Sequence, residues 1–287
     1  MSVRYVMHMN VEDDYTVSVI IPVHNESTSI LDKAIESILL QTYPITEIII
    51  CDDGSIDTTW SSLQKWKTDK RVIVLRNNTS KGAAHARNVA IKATKGDFIA
   101  LMDADDVSED RRIEKQVAFL LDNEDIDFVG CKADLFKIEP RDIDEIYRFI
   151  PYPQEKDFLM TLPFVHASLV FRRNVLDSVN GYREINRVWR SEDYDMLMRL
   201  YELGFRGANI PDTLYHIRVN GNALGKRKYR YRFNEAIVKF EGFSRLGLMP
   251  KGILYAIKPI FVGLIPYALL HKIKIRYYEK ERVKNGF

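Results

Sequence analysis

Short apolar runs alternate with helix-like segments over the first 121 residues, and this alternation constrains the fold more than any other feature. The first run is VSVIIPV at Val17–Val23, and three more lie at 47–51, 71–76 and 97–102. A segment of helical periodicity follows each run, at 30–41, 58–66, 83–92 and 109–121. Strands that are apolar on both faces and joined by helices are typical of a parallel sheet covered on both sides. We therefore predict an α/β fold with a mostly parallel central sheet.

The rest of the chain is less regular. Its pattern predicts strands at 127–136 and 167–172, a helix at 192–203 and an edge strand at 214–219. The charged, proline-containing stretch 137–163 is interpreted as a loop with a short helix, and the chain from 226 onward is predicted to be helical. We divide the sequence into an N-terminal extension (1–15), a main domain (16–222) and a helical C-terminal extension (223–287).

Composition excludes several classes of protein. With 46% hydrophobic and 29% charged residues, the chain is globular rather than low-complexity. Its two cysteines, Cys51 and Cys131, are too few for a disulfide scaffold or a multi-cysteine zinc site, and they favour a reducing compartment. The first 15 residues lack the apolar stretch of a signal peptide, so no secretion signal is expected.

Acidic and amide residues follow three of the predicted strands. They are Asn25–Glu26, the sequence DDGS at 52–55 and the sequence DADD at 103–106. Ligands of open α/β sheets bind at the carboxyl ends of the strands, so these side chains should meet in one crevice. Their repulsion is relieved by a divalent cation shared with a nucleotide diphosphate, and residues two apart, such as Asp103 and Asp105, can face the same ion.

Turn chemistry is the competing interpretation, because Asp, Asn and Gly commonly stabilise turns through their own backbone. Two such motifs, each after its own strand, make that interpretation less favoured than for either motif alone. Two nucleotide-binding classes are excluded. No G-x-G-x-x-G follows the first strand, which argues against a dinucleotide-binding Rossmann protein, and no G-x-x-x-x-G-K-[ST] occurs, which excludes a P-loop NTPase.

Six ordered motifs give the chain a resemblance to a known family. They are VSVIIPVHNE (17–26), ILLQTYP (38–44), EIIICDDGSIDTT (47–59), KGAAHARNVAI (81–91), GDFIALMDADD (96–106) and SEDYDMLMRL (191–200). Over about residues 15–220 the sequence resembles glycosyltransferase family 2, whose fold is the Rossmann-like GT-A fold of nucleotide-diphospho-sugar transferases.

The resemblance implies an inverting sugar transfer from a nucleoside-diphosphate sugar, with UDP-sugar as the expected donor. It implies a nucleotide-binding half (16–106) and an acceptor-binding half (107–222). In the first half, Asp53 would accept from the base, Asp103 would lie near the ribose, and Arg87 would contact the diphosphate or brace the site. Asp105 would bind Mn²⁺ or Mg²⁺. The nucleotide-binding set is Pro22, Val23, Asn25, Glu26, Asp53, Arg87 and Asp103.

The resemblance also assigns the catalytic base to the pair Glu192-Asp193. An alcohol is a poor nucleophile, and a carboxylate can take its proton as the bond to the sugar forms. We assign that role to Asp193. The alternative is that both acids only complement the dipole of a helix that Ser191 caps.

Two further residues have open interpretations. His166 is either an acceptor-side or phosphate-side residue, or a hydrogen-bonded core histidine. Trp189 either stacks on the acceptor sugar or packs in the core, and its polar neighbours favour stacking slightly.

One departure from the family pattern concerns the metal. Members often carry Tyr-Arg-x-His after the base helix, with the His near the metal or the diphosphate. If Arg218 matches that Arg and clamps phosphate, Asn220 takes the place of the His, and His216 lies two residues before Arg218. A third protein ligand to the metal is therefore in doubt, and either residue is left as the replacement.

The C-terminal extension is basic and apolar. Residues 221–287 contain 15 Lys and Arg against 4 Asp and Glu, although the whole chain carries only +2. The apolar run 253–270 is interrupted by Lys258, Pro259 and Pro266. We favour an interfacial membrane-surface segment over ordinary packing on the main domain, and either over a true span. Nucleic acid is not expected as a partner.

The leading hypothesis is a metal-dependent inverting glycosyltransferase of cell-envelope polysaccharide or glycolipid biosynthesis, peripheral on the cytoplasmic face of the membrane. Its acceptor would be a hydroxyl of a saccharide or of a lipid-linked saccharide. One alternative keeps the donor site but uses a polyprenyl phosphate as acceptor. Another is a sugar-nucleotide-binding module without catalysis. The oligomeric state is left open.

Overall fold

The computed structural model describes residues 15–136, 149–219 and 229–265. Within them, eight strands form one sheet: β1 (Val17–Val23), β2 (Glu47–Asp52), β3 (Val72–Arg76), β4 (Phe98–Leu101), β5 (Val107–Ser108), β6 (Phe128–Phe136), β7 (Val170–Arg172) and β8 (Gly207–Arg218). The α-helices of the same residues are α1 (Thr28–Leu39), α2 (Thr59–Leu63), α3 (Ala83–Ala93), α4 (Arg112–Asp122), α5 (Arg173–Ser178), α6 (Glu192–Glu202), α7 (Arg230–Arg245) and α8 (Gly252–Gly263).

The strands lie in the order β3-β2-β1-β4-β7-β6-β8-β5. The first four are parallel, as are β6 and β8, whereas β7 is antiparallel to both of its neighbours and β5 is antiparallel to β8. Val23 is in register with Asp52 and Ile20 with Leu101, so β2, β1 and β4 end side by side. The carboxyl ends that carry the acidic motifs are thus adjacent, as the sequence predicts.

Side chains of the central strands alternate between two cores. Val19 and Ile21 of β1 pack with α1, α2 and α4 on one face, whereas Ile20 packs with α3, α5, α6 and α7 on the other. β2 alternates in the same way, with Ile48 and Ile50 on the first face and Ile49 on the second. This explains the continuous apolar runs, since both faces of the sheet are covered by helices. The predicted α/β class is confirmed.

Some predicted elements differ from the observed ones. β8 begins seven residues earlier than predicted, and the edge position beyond it belongs to the two-residue β5, so β8 is not an edge strand. Pro211 and Asp212 interrupt the apolar pattern in the middle of β8, where the register with β6 also shifts. The helix predicted at 58–66 is α2 continued by the 3₁₀ turn Gln64–Thr68, and α5 is not predicted from the sequence.

The described part of the C-terminal extension is a helical hairpin. α7 packs on α6, and α8 runs back along α7, since Gly252 lies against Phe243 and Gly263 lies against Tyr229. None of the helices in 15–136, 149–219 and 229–265 is long and apolar enough to cross a membrane. The N-terminal extension up to residue 14 and the tail from 266 lie outside the described residues.

Candidate active site

Two buried aspartates, at the end of β2 and at the start of the loop that follows, hold that loop in place. Asp52 accepts a hydrogen bond from the backbone N–H of Ser55 (3.0 Å) and pairs with Nε of Arg76 (3.2 Å). Asp53 accepts hydrogen bonds from the loop after β3: from the Asn77 amide (2.8 Å), the Ser80 hydroxyl (2.8 Å), and the backbone N–H groups at 81 (3.0 Å) and 82 (2.7 Å). The motif therefore fixes two loops at the same edge of the sheet.

The protonation of Asp53 follows from these contacts. Burial alone would raise the pKa of its carboxyl group, but the hydrogen bonds from Lys81, Asn77, Ser80 and Gly82 outweigh it and lower the pKa below the ordinary value. Asp53 is thus a carboxylate held by at least four donors. The structure gives it a positioning role that the sequence prediction did not include, and the predicted contact with the base stays a prediction.

The end of β1 is tied to the same loop. Asn25 has a left-handed backbone (φ 50°), donates its N–H to the Ser55 hydroxyl and accepts from the N–H of Ile56 (2.9 Å each). Glu26 donates its N–H to the Thr59 hydroxyl (2.9 Å). Pro22 and Val23 are the last two residues of β1, and the Val23 carbonyl accepts a hydrogen bond from the N–H of residue 53 (2.8 Å). The predicted nucleotide-binding residues of β1 and β2 therefore form one connected surface.

A second acidic loop follows β4. Asp103 accepts a hydrogen bond from Arg87 (2.7 Å), and its backbone N–H donates to the Tyr215 hydroxyl (3.1 Å). Burial, together with the charges of Asp103 and Glu26, raises the pKa of Asp105 to about 6. Burial and the charges of Asp103 and Asp105 likewise raise the pKa of Asp106. This loop holds more negative charge than its protein partners neutralise.

Such a donor set fits a divalent cation. Carboxylate oxygens are the ligands that Mg²⁺ and Mn²⁺ prefer, and Asp103, Asp105 and Asp106 lie together in this loop. Within the described residues, however, no group of three or more His, Cys, Asp or Glu side chains is placed to hold a metal. A cation at Asp105 would therefore need further oxygen ligands from a bound diphosphate.

Glu192 and Asp193 begin α6 and lie near the Arg87–Asp103 pair. The charge of Glu192 contributes to the raised pKa of Arg87, and both acids contribute, after burial, to the raised pKa of Tyr182. One carboxylate oxygen of Glu192 is buried and has no hydrogen-bond partner among the described residues. In the alternative interpretation Ser191 caps α6; it does occupy the N-cap position, but its side chain makes no capping hydrogen bond.

His166 lies at the back of this site. Its Nε2 is hydrogen-bonded to the Tyr182 hydroxyl (2.8 Å), and the Arg87 guanidinium lies 5.6 Å from the Tyr182 ring. Desolvation, reinforced by the Arg87 charge, lowers the pKa of His166 to about 3. His166 is therefore neutral at physiological pH. It is linked through Tyr182 to the Arg87–Asp103 pair, a contact that suits both interpretations offered from the sequence.

Trp189 packs over the loop after β3 rather than in the core. The residue is 40% exposed, and a Cβ added to Gly82 in that loop would lie 3.3 Å from its indole nitrogen. A groove of about 60 Å³ lies here between the loop at 81–84 and the segment 183–192, with Glu192 in its wall. Trp189 therefore joins the loop held by Asp53 to the segment that carries the predicted base.

Arg218 reaches the acidic loop after β4, where its Nε donates to the Asp105 carbonyl (3.0 Å) and its N–H donates to the Asp106 carboxylate (2.9 Å). His216 does not replace a metal-side histidine. Its Nδ1 faces Asp134 (2.5 Å) and its Nε2 faces Glu109 (2.8 Å), so neither ring nitrogen is left for a metal. Asn220, the other candidate, lies outside the described residues.

Several residues of this site were missed from the sequence. Asn77 and Ser80 follow the end of β3, so the strand-end rule applied to the other three strands would have found them. Tyr182 has no such signal, because it lies in an irregular segment far in sequence from Arg87 and His166. The larger groove, of about 510 Å³, lies along α3 and α5 and contains none of the residues predicted from the sequence.

The sequence also matches known proteins. The model of the family described as "Glycosyl transferase family 2" matches residues 18–232. EpsE of Bacillus subtilis (strain 168), which carries a glycosyltransferase name, is 33% identical over 94% of this chain and 95% of its own length. The Escherichia coli enzyme WfaP, named UDP-Glc:alpha-D-GlcNAc-diphosphoundecaprenol beta-1,3-glucosyltransferase, is 32% identical over 75% of this chain and 81% of its own.

Solved structures show the same fold at low identity. TarS of S. aureus in complex with UDP matches with a TM-score of 0.63 and 20% identity, over 79% of this chain and 65% of that one. The mannosyltransferase PcManGT of Pyrobaculum calidifontis, in complex with GDP-Man and Mn²⁺, matches with a TM-score of 0.58 and 19% identity, over 93% of this chain and 81% of that one. The family match, which covers most of the chain, and the convergence of its acidic motifs lead to one conclusion: this chain is a glycosyltransferase and belongs to glycosyl transferase family 2.

Proposed function

We propose that the chain transfers a sugar from a UDP-sugar, with inversion, to a hydroxyl group of a lipid-linked saccharide in the synthesis of a cell-envelope polysaccharide or glycolipid. The observation that carries the proposal is the connection of two parts of the site. The loops after β1, β2 and β4 form the nucleotide side, and the start of α6 meets them through Arg87, Tyr182 and Trp189. One substrate pair can therefore touch both parts.

Relatives support the choice of substrates. The name of WfaP specifies UDP-Glc as donor and a GlcNAc-diphosphoundecaprenol as acceptor, and TarS has been solved with UDP and with UDP-GlcNAc. EpsE matches over nearly its whole length, so the likeness is not confined to the nucleotide half. We place the enzyme at the cytoplasmic face of the membrane, where a lipid-linked acceptor would be met.

The residues have separate roles in the proposed reaction. Asp193 accepts the proton of the acceptor hydroxyl while that oxygen forms its bond to the anomeric carbon. The bond from that carbon to the diphosphate oxygen breaks on the opposite face, so the configuration inverts and UDP leaves. Glu192, which lies in the wall of the groove beside Trp189, accepts a hydrogen bond from the acceptor. Arg87 and Arg218 carry the positive charge nearest to the acidic loop and assist the diphosphate.

Asp105, with Asp103 beside it, would hold the divalent cation together with the diphosphate. The cation would supply neutralisation of the charge that develops on the leaving group. PcManGT was solved with Mn²⁺, which supports Mn²⁺ or Mg²⁺ here.

The test is transfer from a panel of UDP-sugars to a synthetic GlcNAc-diphospho-lipid, with Mn²⁺ or Mg²⁺ present. We expect Asp193→Asn to lower kcat by about 10²- to 10⁴-fold, the range typical of a general base, with little change in the Kd of UDP. Asp177→Asn, an exposed aspartate on α5, is the matched control and should keep the parental rate.

Two results would count against the proposal. A folded Asp193→Asn variant with parental activity would show that Asp193 is not the catalytic base. That result is expected if the acceptor is a phosphate, which needs no deprotonation. UDP binding without any transfer or donor hydrolysis would leave only a binding module.

A further inference from the structure

The α7–α8 hairpin concentrates exposed apolar surface. Nine of the eighteen exposed large hydrophobic side chains in the described chain lie in 229–265. On α7 they are Phe233, Ile237 and Phe240, spaced by four and three residues and therefore on one face. Scattered exposed hydrophobic residues are normal, but a contiguous face of this kind marks an interaction surface.

α8 also carries exposed apolar side chains. They include Leu254 (72%) and Phe261 (61%), and Leu264 (67%) follows its last residue, whereas Gly252, Ala256 and Pro259 are buried on the side of α7. The helix carries a single charged residue, Lys258. A helix that is apolar nearly all round is normally covered on all sides, and here only the side toward the protein is covered.

We propose that this hairpin face, defined by Phe233, Ile237, Phe240, Ile253, Leu254, Ile257, Phe261 and Leu264, docks in the surface of an anionic lipid bilayer. α8 has 12 residues and is therefore about 18 Å long, too short for a bilayer core of about 30 Å, so it lies in the interface rather than across it.

Charge identifies the occupant. Lys251, just before α8, and Lys258 on it are exposed, and basic residues flank the hairpin in sequence, at 226–228 before it and at 272–284 after it. Residues 221–287 together carry 15 basic and 4 acidic side chains. Apolar burial plus a basic rim is the combination that binds anionic membranes. In a symmetric dimer, the same patch would face itself and bring the exposed Lys251 and Lys258 of both copies into one interface, which disfavours a second copy as the occupant.

Docking also orients the site. Asn234, next to Phe233 on α7, donates from its side-chain amide to the carbonyls of Asn186 (2.9 Å) and Trp189 (3.2 Å). The segment that leads into Glu192 and Asp193 is thus attached to the helix that meets the lipid. This part of the inference rests on the proposed lipid-linked acceptor, whereas vesicle binding itself does not.

The test is flotation of the full chain with phosphatidylcholine vesicles that contain or lack 20% phosphatidylglycerol. The test variant is Phe240→Ser/Ile257→Ser/Phe261→Ser. The matched control, Leu40→Ser/Met160→Ser/Leu203→Ser, removes side chains that are 72%, 48% and 58% exposed elsewhere on the surface. We expect the hairpin variant to bind anionic vesicles at least tenfold more weakly and the control to stay within twofold of the parent. High salt or omission of the anionic lipid should weaken binding of the parent.

Folding and nucleotide binding are followed separately, by the thermal shift on adding UDP with Mn²⁺, which all three proteins should retain. A parent that does not bind anionic vesicles, or a control that loses as much binding as the hairpin variant, overturns the inference. So does dimerisation of the parent, measured by sedimentation, that the hairpin substitutions abolish while vesicle binding is absent. Vesicle binding without sugar transfer would refute the proposed function and leave the docking surface intact.

Discussion

At the scale of single residues, neighbouring acids of one motif do different work. Asp52 and Asp53 read alike in the sequence, yet Asp52 pairs with Arg76 under its own loop and Asp53 holds the loop after β3. Asp105 has no comparable set of donors, and its pKa is raised instead of lowered. The environment, not the residue type, separates a structural carboxylate from one suited to a cation.

We expect Asp53→Asn to weaken UDP binding by at least tenfold. The substitution turns one oxygen into an NH₂ donor that would face the N–H groups of Lys81 and Gly82, which leaves buried donors unpaired at a cost of about 1–3 kcal/mol. Titration calorimetry with UDP and Mn²⁺ measures the affinity. Asp57→Asn, at an exposed position of the same loop, is the control. Equal affinities for the two variants would mean that Asp53 does not shape the nucleotide site.

His166 makes a distinct pH prediction. Its pKa is lowered from 6.5 to about 3, so the unfolded chain takes up its proton first as the pH falls. The contribution of the neutral His166 ring to the free energy of unfolding is fully present above pH 6.5. It is lost as the pH falls toward 3, by at most about 1.4 kcal/mol per pH unit. Between pH 7 and 5 the free energy of unfolding of the parent should fall by about 2 kcal/mol more than that of His166→Gln.

Urea denaturation at several pH values tests this difference. Leu40→Ser, at an exposed position, removes no titratable group and should give a curve parallel to that of the parent. A His166→Gln curve that is also parallel would show that the ring is not held neutral.

At the scale of secondary-structure elements, α6 and α7 are joined by a buried charge cluster. Asp195, fully buried on α6, is bonded by Arg183 (Nε to Oδ2, 2.8 Å) and by Arg199 (3.1 Å), and Arg245 of α7 lies 3.7 Å from it. Asp195 is two residues beyond the proposed base. The C-terminal extension therefore helps to hold the helix on which that base begins.

Removal of this carboxylate should be costly. We expect Asp195→Asn to lower the free energy of unfolding by about 3 kcal/mol, because it removes the fully buried negative charge on which the half-buried guanidinium groups of Arg183 and Arg199 converge. Glu202→Gln breaks the partly exposed pair with Arg245 (3.0 Å) and should cost less than about 1 kcal/mol. Chemical denaturation of both variants gives the comparison. A loss below 1 kcal/mol for Asp195→Asn would show that the cluster does not stabilise α6.

Local pattern explains which elements could be predicted. The strands β1 to β4 and the helices α1, α3, α4 and α6 are within a few residues of their predicted bounds, because each has a clear apolar period. β5 has only two residues, too few for a period, and Pro211 interrupts β8, so only its second half is predicted, as 214–219. The strand-end rule brought the acidic motifs together correctly. It could not show that His216 is engaged by Asp134 and Glu109, since those contacts span 82 and 107 residues of sequence.

At the scale of the whole molecule, the two interpretations of the C-terminal extension concern different surfaces of one hairpin. One side packs on the main domain, where Lys239 pairs with Glu235 and lies 5.0 Å from the Tyr194 ring. The other side leaves Phe240 and Phe261 more than half exposed. Ordinary packing is thus observed for the first side, and membrane contact is proposed only for the second. The same two helices can therefore pack on the main domain with one face and contact a membrane with the other.

Two truncations separate these roles. A chain of residues 1–247 keeps α7 and should retain a cooperative thermal transition that UDP with Mn²⁺ shifts upward. A chain of residues 1–228 loses Arg245 from Asp195 and uncovers Met198, against which Gly242 packs, so it should unfold at a much lower temperature or lack a cooperative transition. Scanning calorimetry of both chains measures the difference. If the 1–228 chain unfolds at the same temperature as the 1–247 chain, α7 does not stabilise the main domain and α6 is stable without it. If 1–247 also fails to fold, α8 is as necessary to the body of the protein as α7, and its outer face cannot be assigned to the membrane by truncation.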